Sequence, residues 1–263
     1  MPDNAVKSFP PNTPLTQRKT AILVGASSGI GAALARRLAG EGYRLALLSR
    51  RTDLLTNLCE EINQESGELI AKAYEHDVCD VDSIPGLLQT ILAEMGTLDL
   101  FVYNAGISCM VGLKKYDFEK DQRTMEVNLI GALAWLNPIA AMFQQMKAGH
   151  IVGISSVAGD RGRVGNPSYN ASKAALSSYL ESLRNRLSRF GVHVLTVKPG
   201  FVDTDLLAGA KKTFCVITAD QAAGDIYNAI QKHKQDIYTP SRWRLVMLVV
   251  RNIPSFIFRR MAF

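Results

Sequence analysis

The sequence predicts an α/β fold: one domain built on a doubly wound parallel sheet with helices on both faces. Three observations predict it. Short apolar runs alternate with segments of helical period along nearly the whole chain, the pattern of repeated βαβ units. A glycine-rich turn stands where the first run gives way to the first helical segment. No linker or repeat divides the 263 residues, a length ordinary for a single α/β domain. Right-handed crossovers between parallel strands then place helices on both faces.

The elements follow in order. TAILVG (20–25) reads as the first strand, and ASSGIGAALARRLAGEG continues as a helix with Ile30, Leu34 and Leu38 on one face. YRLALLS (43–49) is the second strand, 51–66 a helix, 69–75 a strand and 81–95 a helix. LDLFVYNAG (98–106) is a strand running into a loop, followed by a long helix over 119–147. HIVGISS (150–156) is a strand, 168–190 a helix and VHVLTVKPG (192–200) a strand. A helix at 219–234 and a short strand at 236–239 complete the body. Residues 1–19, polar and with four prolines, read as a loose arm; 20–240 as the domain; 241–263 as a basic amphipathic extension of it.

Composition narrows the class. Apolar residues make up 47% and charged residues 21%, as in globular proteins. The net charge of +6 is concentrated at the ends: residues 237–263 hold five arginines and no acid, residues 1–19 carry +2, and the body between is left at −1. The body is close to neutral, which argues against a nucleic-acid surface. The four cysteines are scattered without metal-like spacing, so no metal site is expected and the thiols read as reduced, in a cytoplasmic protein. The first 19 residues lack the apolar stretch of a signal peptide.

Two stretches carry chemistry. In YNASK (169–173), Tyr169 and Lys173 stand four apart, on one face of a helix. A lysine ammonium beside a phenol is expected to lower its pKa and make a proton donor or acceptor usable near neutral pH. In GASSGIG (25–31), Gly25, Gly29 and Gly31 lie between a strand and a helix, where backbone N–H groups can meet a dinucleotide pyrophosphate. An arginine pair, Arg50 and Arg51, stands at the end of the second strand, where NAD-binding sheets usually carry an acid. Such a pair suits a 2′-phosphate, so NADP(H) is expected over NAD(H).

Taken together, the motifs resemble those of the short-chain dehydrogenase/reductase family, in that family's order, over nearly the whole chain. GASSGIG is similar to its TGxxxGxG turn, with Val24 where threonine is common. NAG (104–106), EVNLIG (126–131), Ser156 thirteen residues before Tyr169, and PGFVDT (199–204) match in turn. The resemblance implies a Rossmann-type fold and reversible hydride transfer between a nicotinamide and a carbonyl or secondary alcohol. It implies Tyr169 as general acid/base, Lys173 on the nicotinamide ribose, Ser156 on the substrate oxygen, and Asn128 holding a water behind Lys173. By the same resemblance Ser27, Ser28, Ile30, Asn104, Ala105 and Gly106 line the cofactor, Asp77 and Val78 hold its adenine, and Pro199, Val202 and Thr204 border its carboxamide. His76 and His150 are left to surface or packing roles. A homodimer or homotetramer is implied, paired through the long helices.

Arg161 and Arg163, in the loop between Ser156 and Tyr169, are expected to meet an anion on the substrate; the alternative is a solvated loop in which Arg161 pairs with Asp160. The tail sets Trp243, Met247 and Val250 on one face and Arg244 and Arg251 on another. That arrangement suits a lid, a subunit contact or peripheral attachment at the inner face of a membrane. Tail and loop together resemble those of the mycobacterial decaprenylphosphoryl keto-pentose reductases, which implies a lipid-linked sugar phosphate as an alternative substrate. A non-catalytic NADP(H)-sensing regulator is the alternative of another class; such proteins usually lose the tyrosine or lysine, and this chain keeps both.

Overall fold

The structure, a computed structural model, describes residues 18–112, 114–207 and 213–261; most of the expected N-terminal arm lies outside them. Seven parallel strands form one sheet in the order β3-β2-β1-β4-β5-β6-β7. They are β1 (Thr20–Val24), β2 (Arg44–Ser49), β3 (Ala71–Glu75), β4 (Leu100–Tyr103), β5 (His150–Ile154), β6 (His193–Pro199) and β7 (Asp236–Thr239). Strand order reverses direction between β1 and β4, and a crevice opens at such a point beyond the carboxyl ends of the strands.

Alternation along each strand feeds two cores. Ala21, Leu23, Leu45, Leu47 and Val152 face α1 (Gly29–Gly40), α2 (Thr52–Ser66) and α7 (Ala219–Gln231). Ile22, Leu48, Phe101, Tyr103 and Ile151 face α3 (Ile84–Met95), α5 (Gly131–Met146) and α6 (Pro167–Leu187). Every strand of the sequence reading is present; β7 keeps its bounds and the others are shorter by one to three residues at an end.

Two local departures matter for the site. The long helix expected over 119–147 is α4 (Phe118–Met125) and α5 joined by one wide π turn, Glu126–Ile130. The extra residue in that turn swings Asn128 inward, where it is fully buried. The helix is apolar and long enough to cross a membrane by composition, yet half of its most apolar stretch is buried inside the molecule. The second departure is Gly153. A Cβ there would lie 2.2 Å from Leu180 Cδ1, so its hydrogen lets α6 lie directly on β5 and sets the height of Tyr169 and Lys173 above the sheet.

The tail folds as α8 (Trp243–Asn252) and the single turn α9 (Ser255–Phe258). Trp243 and Met247 are buried against Val157, Phe201, Cys215 and Tyr238. A Cβ at Gly200 would meet Trp243 Nε1 at 1.9 Å, so the glycine of PGFVDT is also the seat of the tail.

Candidate active site

A cleft of about 760 Å³ lies beyond the carboxyl ends of β1, β2, β4, β5 and β6. Gly25, Ser27, Ser28, Gly29 and Ile30 form one wall. Gly25 and Gly29 adopt φ of 86° and 55°, a region that favours glycine. Gly31 does not reach the cleft; a Cβ on it would stand 2.2 Å from the Gly25 carbonyl oxygen and 2.6 Å from Asn104 Nδ2. Asn104 Nδ2 donates to that same carbonyl at 2.6 Å, which ties the end of β4 to the turn. Helix α1 starts without a side-chain cap and without an acid in its first turn, so its N-terminal dipole faces the cleft uncompensated.

Arg50 and Arg51 line the same end. Arg51 Nε donates to Ser27 Oγ at 3.1 Å, its far nitrogen donates to Ser28 Oγ, and its other terminal nitrogen donates to the Asp205 carboxylate at 3.3 Å. Ser49 Oγ donates to Ser27 Oγ at 2.8 Å. Arg50 sits 3.6 Å from the Asp77 carboxylate. Asp77 also accepts from the Cys79 backbone N–H and from Arg123, which, with Arg50, hold its carboxyl below the usual range despite burial. Asp77 therefore stands behind the wall, and Val78 is the residue of that pair that borders the cleft. His76 also borders it, but its ring accepts from Trp135 Nε1 at 3.0 Å; it is a packing histidine.

At the other end, Ser156, Tyr169 and Lys173 converge. Ser156 follows β5, and its Oγ accepts the Ala158 N–H at 3.1 Å and bonds the Tyr169 hydroxyl. Ser155 is turned away, its hydroxyl held by the Lys173 carbonyl and Ser177. Asn166 caps α6 by accepting the Tyr169 N–H and donates to Ser108 Oγ at 2.6 Å, so the first turn is fixed on both sides. Lys173 is buried, and its Nζ donates to the Ile154 carbonyl at 2.8 Å. Asn128 exchanges two hydrogen bonds with the Ile107 backbone and donates to Ser172 Oγ. Its Oδ1 and Lys173 Nζ both stand over Gly106, where a Cβ would lie 3.4 and 3.2 Å from them.

One electrostatic expectation is corrected. Burial raises the Tyr169 phenol above its ordinary value, with the Ser156 hydrogen bond and the Arg163 charge pulling it back down. Lys173 does not lower it, because its ammonium is turned to Ile154 and lies 5.9 Å from the tyrosine ring centre. Burial also lowers the pKa of Lys173 itself to about 8.

The two loop arginines part company. Arg161 donates to the Val250 carbonyl and to the Arg251 carbonyl at 3.3 Å, and its guanidinium lies 3.8 Å over the Phe258 ring. It fastens the tail, so its expected contact with substrate is withdrawn. Asp160 is not its partner; that carboxylate binds Lys198 and the Tyr238 hydroxyl. Arg163 lines the cleft, with burial lowering its pKa, and has no ion pair among the described residues. Pro199, Val202, Thr204, Ala105 and Gly106 line the cleft between the two ends.

A glycine turn on an uncapped helix, at the switch point of a parallel sheet and opposite a Ser–Tyr–Lys group, defines a dinucleotide-dependent oxidoreductase. Residues 19–213 match the family model for short chain dehydrogenase, and the chain belongs to that family. It is 38% identical over 190 residues to an uncharacterized oxidoreductase of Myxococcus xanthus, covering 72% of this chain and 74% of the relative. It is 32% identical over 247 residues to an uncharacterized oxidoreductase of Mycobacterium tuberculosis, covering 93% and 98%. A short-chain dehydrogenase from Sphingobium yanoikuyae, solved in complex with NADPH, superposes with a TM-score of 0.78 at 26% identity, over 90% of this chain and 97% of that one. The protein is an NAD(P)-dependent oxidoreductase.

Proposed function

We propose that the protein is an NADPH-dependent carbonyl reductase whose substrate carries an anionic group. The charge of the cleft is the observation that carries this reading. Arg50, Arg51, Arg163 and Lys173 line it, and Asp205 at the rim is the single acid among its described lining residues. A nearly neutral body has gathered cations where an anionic ligand would lie.

The site fits a dinucleotide. A Cβ at Gly25 would collide with the Ala105 backbone and one at Gly29 with the Thr204 side chain, so glycine lets the turn pack closely against the loops after β4 and β6 that line the same cleft. The α1 N-terminus faces the pyrophosphate position, and Ser27, Ser49, Arg50 and Arg51 offer donors for a 2′-phosphate. The relative from Sphingobium was solved with NADPH, which supports the same preference here. When bound, the nicotinamide supplies the hydride.

The chain's own groups supply the rest. The raised phenol pKa keeps Tyr169 protonated at neutral pH, as a general acid for carbonyl reduction requires. Tyr169 and Ser156 would donate together to the substrate oxygen as negative charge grows on it. Lys173 would hold the ribose from below, and Asn128 keeps the Gly106–Ile107 strip in place to receive it. Arg163 would bind the substrate's carboxylate or phosphate.

The test is NADPH oxidation with ketones, keto-acyl thioesters and keto-sugar phosphates, paired with NADPH and NADH titrations. Turnover confined to neutral ketones, or equal affinity for NADH, overturns the reading.

A second reading rests on the tail. Leu245, Leu248, Val249 and Phe256 are exposed beside Arg242, Arg244 and Arg251, a basic apolar face suited to a membrane surface and a lipid-linked keto-sugar phosphate. Deleting 241–263 should then abolish co-sedimentation with anionic liposomes. Binding that persists after the deletion, or that is absent from the parent, defeats this reading.

A further inference from the structure

Three of the four histidines meet at the far edge of the sheet, away from the cleft. His150 and His193 begin β5 and β6 and are register partners, so their side chains leave the same face of adjacent strands. His233 follows α7 in a left-handed conformation, φ 49°, which swings its ring back over the pair. Ring centres are 4.9 Å apart for His150–His193 and His150–His233, and 4.1 Å for His193–His233. One ring nitrogen of each lies within 4.8 Å of the others. No hydrogen bond from these rings to a protein group occurs among the described residues, unlike His76, whose ring is engaged by Trp135. A small pocket bordered by Lys19, Tyr43, Asp99 and Gln231 opens beside them.

We propose that His150, His193 and His233 form a tri-imidazole site for a divalent transition metal of the zinc, nickel or copper class. Imidazole nitrogens without thiolates suit those ions. Tetrahedral coordination at about 2.0–2.1 Å per bond asks for nitrogens roughly 3.3 Å apart. The rings must close by a little over an ångström, and the exposed His193 and His233 are free to turn. Water from the side pocket would complete the shell. The nearby Lys19 cation opposes binding, and its cost is one reason the test is quantitative. The site is remote from the Ser–Tyr–Lys group, so the ion would tie the end of α7 to β5 and β6 and would not act in turnover.

Tag-free, chelator-treated full-length protein is titrated with Zn²⁺ by calorimetry and by thermal melting, and with Co²⁺ by absorption spectroscopy. Expected are one ion per chain at micromolar free zinc, a raised melting midpoint, and a cobalt spectrum without a thiolate charge-transfer band. His193→Ala and His233→Ala, both at exposed positions, should each weaken zinc binding at least tenfold and leave NADPH affinity unchanged. Absence of binding at that concentration, binding that survives both substitutions, or a thiolate cobalt spectrum overturns the proposal.

Discussion

Replacing Lys173 by methionine should make the unliganded protein more stable while abolishing its activity. Lys173 is 3% exposed and meets a single neutral acceptor, the Ile154 carbonyl. No carboxylate among the described residues offsets the loss of water, and its pKa falls from 10.5 to about 8. At about 1.4 kcal/mol per pH unit, keeping the ammonium in the folded state at neutral pH costs roughly 3 kcal/mol. Methionine keeps the length of the side chain without the charge, and losing the hydrogen bond returns about 1 kcal/mol of that. The expected net gain is roughly 1–2 kcal/mol. The sign with pH follows from proton binding. Below pH 8 both states hold the proton and the folded state bears the full cost. Between about 8 and 10.5 the folded state releases it first, the unfolded state binds more protons, and the parent gains stability with rising pH. The variant cannot, so its advantage shrinks across that window. The assay is urea denaturation of both proteins without cofactor, near neutrality and again within the window, with NADPH affinity measured alongside. A variant less stable than the parent near neutrality, or an advantage that does not shrink, would refute the reasoning.

Tyr169→Phe should lower turnover by about 10²–10⁴ with cofactor affinity retained, measured by steady-state rates and NADPH fluorescence; near-full turnover would leave YNASK as a helix surface. Arg50→Ala and Arg51→Ala should each weaken NADPH by about 1.5–3 kcal/mol and leave NADH nearly unchanged; equal losses for both cofactors in titration would count against the 2′-phosphate assignment. Arg163→Ala should raise KM for an anionic ketone and spare a neutral analogue, read from the KM-against-kcat split. Arg161→Ala should loosen the tail, seen as faster proteolysis after the residues of α8, with kcat on a small ketone unchanged; an unchanged cleavage pattern would remove Arg161 from the tail anchor.

Much of the fold was legible because the periodicities are local. Each strand shows its own apolar run, and the turns after β1, β4, β5 and β6 carry glycines. The chain order of the motifs then carried the cleft, since Ser156, Tyr169 and Lys173 lie on consecutive elements joined by one loop. What could not be read is what long-range packing decides. Nothing in GDRGR distinguishes Arg161 from Arg163; only the docked tail claims the first and leaves the second in the cleft. The sequence also placed Lys173 beside Tyr169 without giving the direction of its head group or the burial of the phenol, and that burial raises the phenol's pKa where a lowered one was expected. The three histidines stand 43 and 40 positions apart, so their meeting depends on strand register and on the left-handed turn after α7.

Burial acts on both cations of the reacting end. Lys173 is buried and Arg163 half-buried, neither has a carboxylate partner among the described residues, and burial lowers the pKa of each. A fold selected for stability alone would pair or remove them, because an uncompensated buried cation is costly. Their persistence around Tyr169 is accounted for if an anion arrives. Two phosphates at the α1 N-terminus and a substrate anion at Arg163 would relieve the field on opposite sides of the phenol. Binding would then raise the Tyr169 pKa further as the Arg163 charge is matched, strengthening its hold on the proton until the carbonyl oxygen becomes the stronger base. On the proposed reading, the cleft's excess positive charge would couple ligand binding to the timing of proton delivery.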